Sequence, residues 1–189
     1  GACVVAAGPL TNVALALRAA PALGGRIAGI SIMGGGAFGN CTPVAEFNIW
    51  SDPEAAAVVF GYGGPLVMAG LDLTHQLLAT PPRIAALRAR PGRAAAAFAD
   101  LFTFYAGTFY ERHDHTVAAG AIHDPCAVLA LTHGELFERE ARHVASSAAA
   151  YSSRVGRLAG VRSWRPRGRQ RGPRARGGRA SGRRRGGGD

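Results

Sequence analysis

The sequence contains no lysine, only 3 cysteines, and aromatic residues amounting to 7% of its 189 positions. Each shortage excludes something. Cys3, Cys41 and Cys126 are odd in number, far apart and form no CxxC pair. A disulfide framework and a zinc site are therefore disfavoured, and a reducing cytoplasm is the expected compartment. No uninterrupted apolar run approaches the ~18 residues of a membrane span, so no membrane partner is expected. The chain opens Gly-Ala-Cys-Val-Val, with neither Met nor a charged stretch ahead of a signal-type apolar core. Period-2 alternation is also missing from the apolar segments, which argues against a sheet with one wet face.

Charge is present but unevenly placed. The formal net charge is +10, which by itself points to a nucleic-acid binder. Yet residues 1–150 hold 9 Arg against 11 acidic residues, whereas 151–189 hold 13 Arg against Asp189 alone. The composition describes a mildly acidic, Ala-rich body and a strongly basic tail. The expected organisation is a globular domain over 1–145 and a disordered Arg/Gly-rich tail over 146–189. Two readings of the tail stand side by side. It binds RNA through phosphate contacts, or it is out-of-frame translation of GC-rich DNA. Trp164 is its only aromatic after Tyr151, so base-stacking platforms are nearly lacking.

Within the body, short apolar runs alternate with helical segments. Ala2–Ala7, Arg26–Met33 and Pro65–Leu73 read as strands. Helices are expected from Thr11, with that residue as cap, and over 52–62, where Asp52, Pro53 and Glu54 form a start signal. Further helices are expected at 83–90, at 93–112 and from His123-Asp124-Pro125 to about His133. The fold class is α/β: an open, mostly parallel sheet with helices on both faces. Ligands of such sheets sit beyond the carboxyl ends of the strands. Those ends carry residues 8–12, 33–48, 72–75 and 123–124, so the polar residues collect on one rim.

Gly34, Gly36 and Gly39 spell G-x-G-x-x-G after a strand. No helix start follows at Asn40-Cys41-Thr42-Pro43, so a dinucleotide fingerprint is disfavoured against a loop that lets backbone approach a ligand. Glu46 and Asn48, with Asn40 nearby, place one carboxylate and two amides on the same loop. That suits a polyhydroxylated ligand, since each hydroxyl offers a donor and an acceptor; turn residues and a solvated Glu46 are the plainer reading. Asp124 reads as the cap of a helix beginning at Pro125, with an oxygen to spare for a hard cation. His113 and His115 are read as solvated or substrate-facing in preference to metal-binding. Asp72 either orients a neighbour or is a buried structural group. Neither Cys41 nor Cys126 has a nucleophile signature.

Taken together, GPLTNVALAL (8–17), IMGGGAFGNCTPVAEFNIWSDPEAA (32–56), GLDLTHQ (70–76) and HDPCAVLAL (123–131) resemble the inosine–uridine-preferring nucleoside hydrolase family, over roughly residues 3–135. The most specific stretch is AEFN-x-x-x-DPEAA. The resemblance implies hydrolysis of the N-glycosidic bond of ribonucleosides to ribose and free base, assisted by Ca2+. It implies that Thr11 offers a backbone carbonyl and Asp124 a carboxylate to the metal. It further implies that Asn40, Glu46 and Asn48 bind ribose hydroxyls, with Met33 and Phe47 lining the sugar pocket. His123 falls beside the leaving base, and Tyr110, His113 and His115 fall in a loop over it. The family's opening Asp-rich motif, which supplies the catalytic base and further calcium ligands, is not found. The expectation is a chain that starts part-way into the fold, with impaired activity, and with the basic tail in place of a further strand and helix. The alternative is a non-catalytic ribose-binding remnant with an RNA-binding tail. Homo-oligomers are common in the family and are an expected partner state.

Overall fold

The computed structural model describes residues 1–112, 119–146 and 154–164. Its centre is a five-stranded sheet of β1 (Cys3–Ala6), β2 (Gly29–Met33), β3 (Leu66–Ala69), β6 (Phe137–Ala145) and β7 (Arg154–Trp164), in the order β1-β2-β3-β7-β6. The first four in that order run parallel, and β6 pairs antiparallel with β7 at the edge. A two-stranded ribbon of β4 (Leu78–Ala79) and β5 (Gly120–Ala121) lies apart from it.

All five residues of β2, Gly-Ile-Ser-Ile-Met, are buried, because helices cover both faces. Ile30 and Ile32 point to a cluster with Leu10, Ala14, Ala56 and Val59. That face is covered by α1 (Thr11–Ala19) and α3 (Pro53–Phe60), which pack on each other. Met33 joins Ala69, Cys126, Ala127 and Ala130 in a second cluster, under α7 (Asp124–Thr132). Ser31 faces this side too, and its buried hydroxyl donates to Ala127 O at 2.7 Å, so the polar atom is satisfied inside the core. The expected α/β sheet, buried on both faces, is the observed one.

Local differences have local causes. The third strand ends at Ala69, not Leu73, because Gly70 breaks it and Leu71–Thr74 forms the one-turn helix α4. Leu71 N bonds Gly35 O at 2.9 Å, and Thr74 N closes back on Gly70 O at 3.0 Å. An apolar run alone does not separate strand from helix at this length. Thr11 does not cap α1; Leu10 holds the cap position without a side-chain bond, and the Thr11 hydroxyl donates instead to Asp52. Asp52 caps α3 as expected, accepting from Ala55 N at 2.9 Å. Helix α7 begins at Asp124 itself, with His123 in the cap position. The remaining helices are α2 (Phe47–Ser51), α5 (Pro81–Arg88) and α6 (Arg93–Arg112).

The sequence reading places Arg154–Trp164 in the basic tail, and the structure gives this stretch a regular backbone. That stretch is strand β7, an interior member of the sheet, with Val67 and Met68 of β3 on one side and β6 on the other. Its Arg and Gly content disguised it in the sequence, yet an interior strand draws its backbone partners from both neighbours. Residues 165–189 lie outside the described residues. Truncation after Trp164 is expected to leave a monodisperse species on size-exclusion chromatography. Truncation after Ala145 uncovers the edge of β3 and is expected to shift the chain into aggregates.

Candidate functional site

The site is built on the loop between β2 and α2 and on the ends of β3 and α7. The loop leaves β2 through Gly34, Gly35 and Gly36. Gly35 has φ 69°, a left-handed backbone that favours glycine. At Gly34 a Cβ would come within 3.2 Å of Glu46 Oε2 and 3.3 Å of Ile49 Cδ1, so a side chain there would displace the carboxylate. The next regular helix is α2 at Phe47. The glycines therefore bring backbone close to Glu46, and the dinucleotide pattern is not built.

Glu46 is only 3% exposed. Its Oε2 accepts from Gly35 N at 2.9 Å, Asn48 N at 2.9 Å and Ile49 N at 3.2 Å, which caps α2 and ties the loop's two ends. Among the described residues every donor that reaches this carboxylate reaches Oε2, so Oε1 remains for a ligand. Asn48 is 8% exposed, and its amide nitrogen donates to Met33 O at 3.0 Å and lies 3.4 Å from Met33 Sδ. Its oxygen is thereby left as an acceptor. Asn40 is the reverse case: its Oδ1 accepts from Phe47 N at 2.9 Å, and its NH2 is left to donate. Three side chains are each fixed at one end by backbone and presented at the other. Met33 is buried beneath them, and Phe47 is exposed on the first turn of α2.

Asp72, in the one-turn helix α4, accepts from Ala37 N at 3.1 Å. That bond ties α4 to the glycine loop. Thr11 reaches the same region from β1's side, its hydroxyl bound to Asp52 at the junction of α2 and α3. That bond is the largest reason why the Asp52 carboxyl is held below its ordinary value.

Asp124 stands near enough to Glu46 for its charge to raise the Glu46 carboxyl. Burial is the larger cause, partly offset by the three backbone N–H groups. Burial also raises Asp124. Two carboxyls thus share a partly desolvated rim, a setting that favours a cation or a developing positive charge. Beside them His123 Nδ1 lies 2.8 Å from Thr74 Oγ1. The His123 ring is 5.6 Å from that of His75, which meets Phe38 edge-on at 5.4 Å.

Hydrogen bonds join Met33 and Glu46 through Asn48, and Asn40 to Phe47, with Asp124 in electrostatic reach of Glu46 and Thr11 anchored next to α2. His113 and His115 lie outside the described residues, as does the Tyr110 side chain. Thr74, His75 and Phe38 were not singled out from the sequence. Thr74 and His123 are 49 residues apart, and no spacing rule links them.

As for a metal, the donors fit a hard cation in kind, since Asp124 and the Thr11 carbonyl are oxygens. They do not close a coordination sphere. Among the described residues no three His, Cys, Asp or Glu gather as a metal-binding group. A cysteine nucleophile is also disfavoured: burial pushes the Cys126 thiol up to about 11, and Sγ donates to Ile122 O at 3.3 Å. Iodoacetamide at pH 8 is expected to label exposed Cys3 and Cys41 and to spare Cys126, read by peptide mass. A mostly apolar groove between α5 and α6 is walled by Pro81, Ile84, Ala85 and Ala106. Its polar groups are occupied, Arg88 with Asp100 at 2.6 Å and the Thr103 hydroxyl with Ala99 O. Among the described residues no helix is long and apolar enough to cross a membrane.

Comparison with known proteins bears on this rim. Residues 2–175 match the model of a family described as inosine-uridine preferring nucleoside hydrolase. The pyrimidine-specific ribonucleoside hydrolase of Escherichia coli (strain K12 / DH10B) is 46% identical over 126 residues, 66% of this chain and 40% of that one. A putative pyrimidine-specific ribonucleoside hydrolase of Shigella boydii serotype 4 is likewise 46% identical, with 51% of its length covered. The chain therefore spans about half, or less, of the length of the curated relatives it matches. Among solved structures, a purine-preferring ribonucleoside hydrolase from Gardnerella vaginalis superposes with TM-score 0.78 at 28% identity, covering 86% of this chain and 55% of that one. A plant nucleoside hydrolase gives TM-score 0.72 at 30% identity, covering 81% and 49%.

Proposed function

Because this chain belongs to the inosine-uridine preferring nucleoside hydrolase family, we propose that its rim grips the ribose of a ribonucleoside for hydrolysis of the N-glycosidic bond. The observation that carries this reading is the half-anchored set: an acceptor on Glu46, an acceptor on Asn48 and a donor on Asn40. Vicinal hydroxyls need that mixture. Met33 lies beneath the sugar, and Phe47 walls it on the open side. Matched relatives range from pyrimidine-specific to purine-preferring, so the substrate class proposed is ribonucleosides.

In the reaction, water bonds C1′ through its oxygen and gives up a proton, the C1′–N bond breaks, and the bonding pair leaves with the base, which takes up a proton. As that bond loosens, the sugar becomes oxocarbenium-like. The carboxylates of Asp124 and Glu46 lie where they oppose this positive charge in a partly desolvated setting. His123, one residue ahead of α7, is the group placed to bind or protonate the departing base. We assign calcium as the ion of this site, with Asp124 and the Thr11 carbonyl as its ligands from this chain. When bound, it supplies a fixed charge for the ribose hydroxyls and the attacking water. Slow turnover by the 189-residue chain is part of this proposal.

Titration of the ¹⁵N-labelled chain with ribose, then with inosine and uridine in calcium, tests this reading. The amides of Gly35, Asn48 and Ile49 are expected to shift, while base release runs below the ~1 s⁻¹ floor of ordinary enzymes. Unmoved amides at tens of millimolar ribose would sink the ribose assignment. Turnover at ordinary enzyme rates would overturn the impaired activity.

A further inference from the structure

We propose that Thr74 is a positioning residue for His123, holding the imidazole by Nδ1 so that Nε2 is turned toward the leaving base. The proposal rests on the hydrolase reading for what Nε2 addresses, but the anchor itself stands on geometry. Thr74 closes the one-turn helix α4 and is completely buried. Its hydroxyl is 2.8 Å from His123 Nδ1. The two ring nitrogens of an imidazole flank Cε1, so fixing one fixes the direction of the other; a hydroxyl can donate to Nδ1 or accept from it, and in this proposal it donates, which leaves the proton on Nε2. The ring is also held on a face: His75 lies 5.6 Å away at 58°, and Phe38 backs His75 at 5.4 Å. One bond and one wall leave His123 little freedom to rotate.

Stability does not call for this hydroxyl. Valine has the same shape and would fill a fully buried site, while a hydroxyl there needs a partner to offset its desolvation. The partner it has is the one ring that stands next to Asp124 on the rim. Neither the glycine loop nor Asp72 makes an equivalent contact; Asp72 is engaged with Ala37 N.

The test uses the full chain and its Thr74→Ser and Thr74→Val variants. Long-range ¹H–¹⁵N correlations of the His123 ring are recorded at alkaline pH, where the ring is neutral. Wild type and Thr74→Ser are expected to show one neutral tautomer, and Thr74→Val an averaged mixture. On inosine and uridine, Thr74→Val is expected to lower kcat about 10- to 100-fold with KM nearly unchanged, and Thr74→Ser to restore it, as for other orienting partners. An averaged ring in the wild type overturns the proposal without any variant, which covers the case of a Val chain that fails to melt cooperatively. A Val ring identical to wild type overturns it equally. A single tautomer lost in Thr74→Val, with no amide of any form moved by ribose, keeps the anchor and removes the hydrolase reading. Hydrolysis with ring and kcat both indifferent to position 74 does the opposite.

Discussion

Replacing Glu46 by Ala is expected to lower the unfolding free energy by roughly 3–5 kcal/mol, because three backbone N–H groups lose their acceptor at once. Gly35, Asn48 and Ile49 all donate to its Oε2, and the side chain is almost fully buried. For a chain of this size the melting midpoint should fall by roughly 6–20 °C, read by circular dichroism. Ribose-dependent amide shifts should vanish with it, since the loop no longer closes on α2. Glu46→Gln retains an oxygen at the same place and should cost about 1–2 kcal/mol. Equal loss in both variants would mean that charge, not the capped loop, carries the effect.

The same residue sets a pH dependence of definite sign. Burial raises the Glu46 carboxyl above 4.5 in the folded chain, against the three backbone bonds, and Asp124 adds to the rise. The folded chain therefore holds this proton more tightly than the unfolded one. Its contribution to stability is complete below pH 4.5 and is lost as pH climbs through the raised value. Glu46→Gln should flatten that slope. Asp52, held low by Thr11 and Ala55 N, acts in the other sense, its contribution present above 3.8 and lost on acidification below it. It is an exposed group, so solvent keeps its share small.

Asp124→Asn should separate function from stability. Asp124 is raised by burial, and its charge raises Glu46 in turn. Removing the charge relieves both, so the melting midpoint should hold or rise slightly. Nucleoside affinity in calcium should nevertheless fall about 10- to 100-fold, the range for loss of a group that holds or orients a metal ligand. Wild type should also melt higher in millimolar calcium, by the linkage of binding to folding, whereas Asp124→Asn should not respond. Titration calorimetry and melts with and without calcium decide it. A variant that loses stability and keeps its calcium response would place the carboxylate in the scaffold instead. The opposed signs reflect a common condition of binding sites, where a charge kept for a ligand is a strain on the empty fold.

The fold class was legible because its signal is local and repeated. Continuous apolar runs such as Val4-Val5 and Ile30–Met33, alternating with helical segments, leave few architectures besides a parallel sheet covered twice. Asp52-Pro53-Glu54 announced α3, and the structure caps it with that Asp. Glu46, Asn48 and Asn40 were legible as residue types suited to hydroxyls. Their polarity was not: which atom is taken up by backbone depends on Gly35 N, Met33 O and Phe47 N arriving from elsewhere in the loop.

Three matters were decided only in three dimensions. Strand β7 was hidden, because Arg and Gly give no apolar pattern, and its place comes from the ladders of β3 and β6. Leu71–Thr74 became a helical turn because Gly35 O takes the amide of Leu71, a contact between two strand ends 36 positions apart. Thr74 and His123 were joined across 49 residues by the closure of α4 against the start of α7. Local sequence sets propensity, caps and the polarity of a rim; pairings between distant segments are set by which backbones the folded sheet brings within hydrogen-bond range.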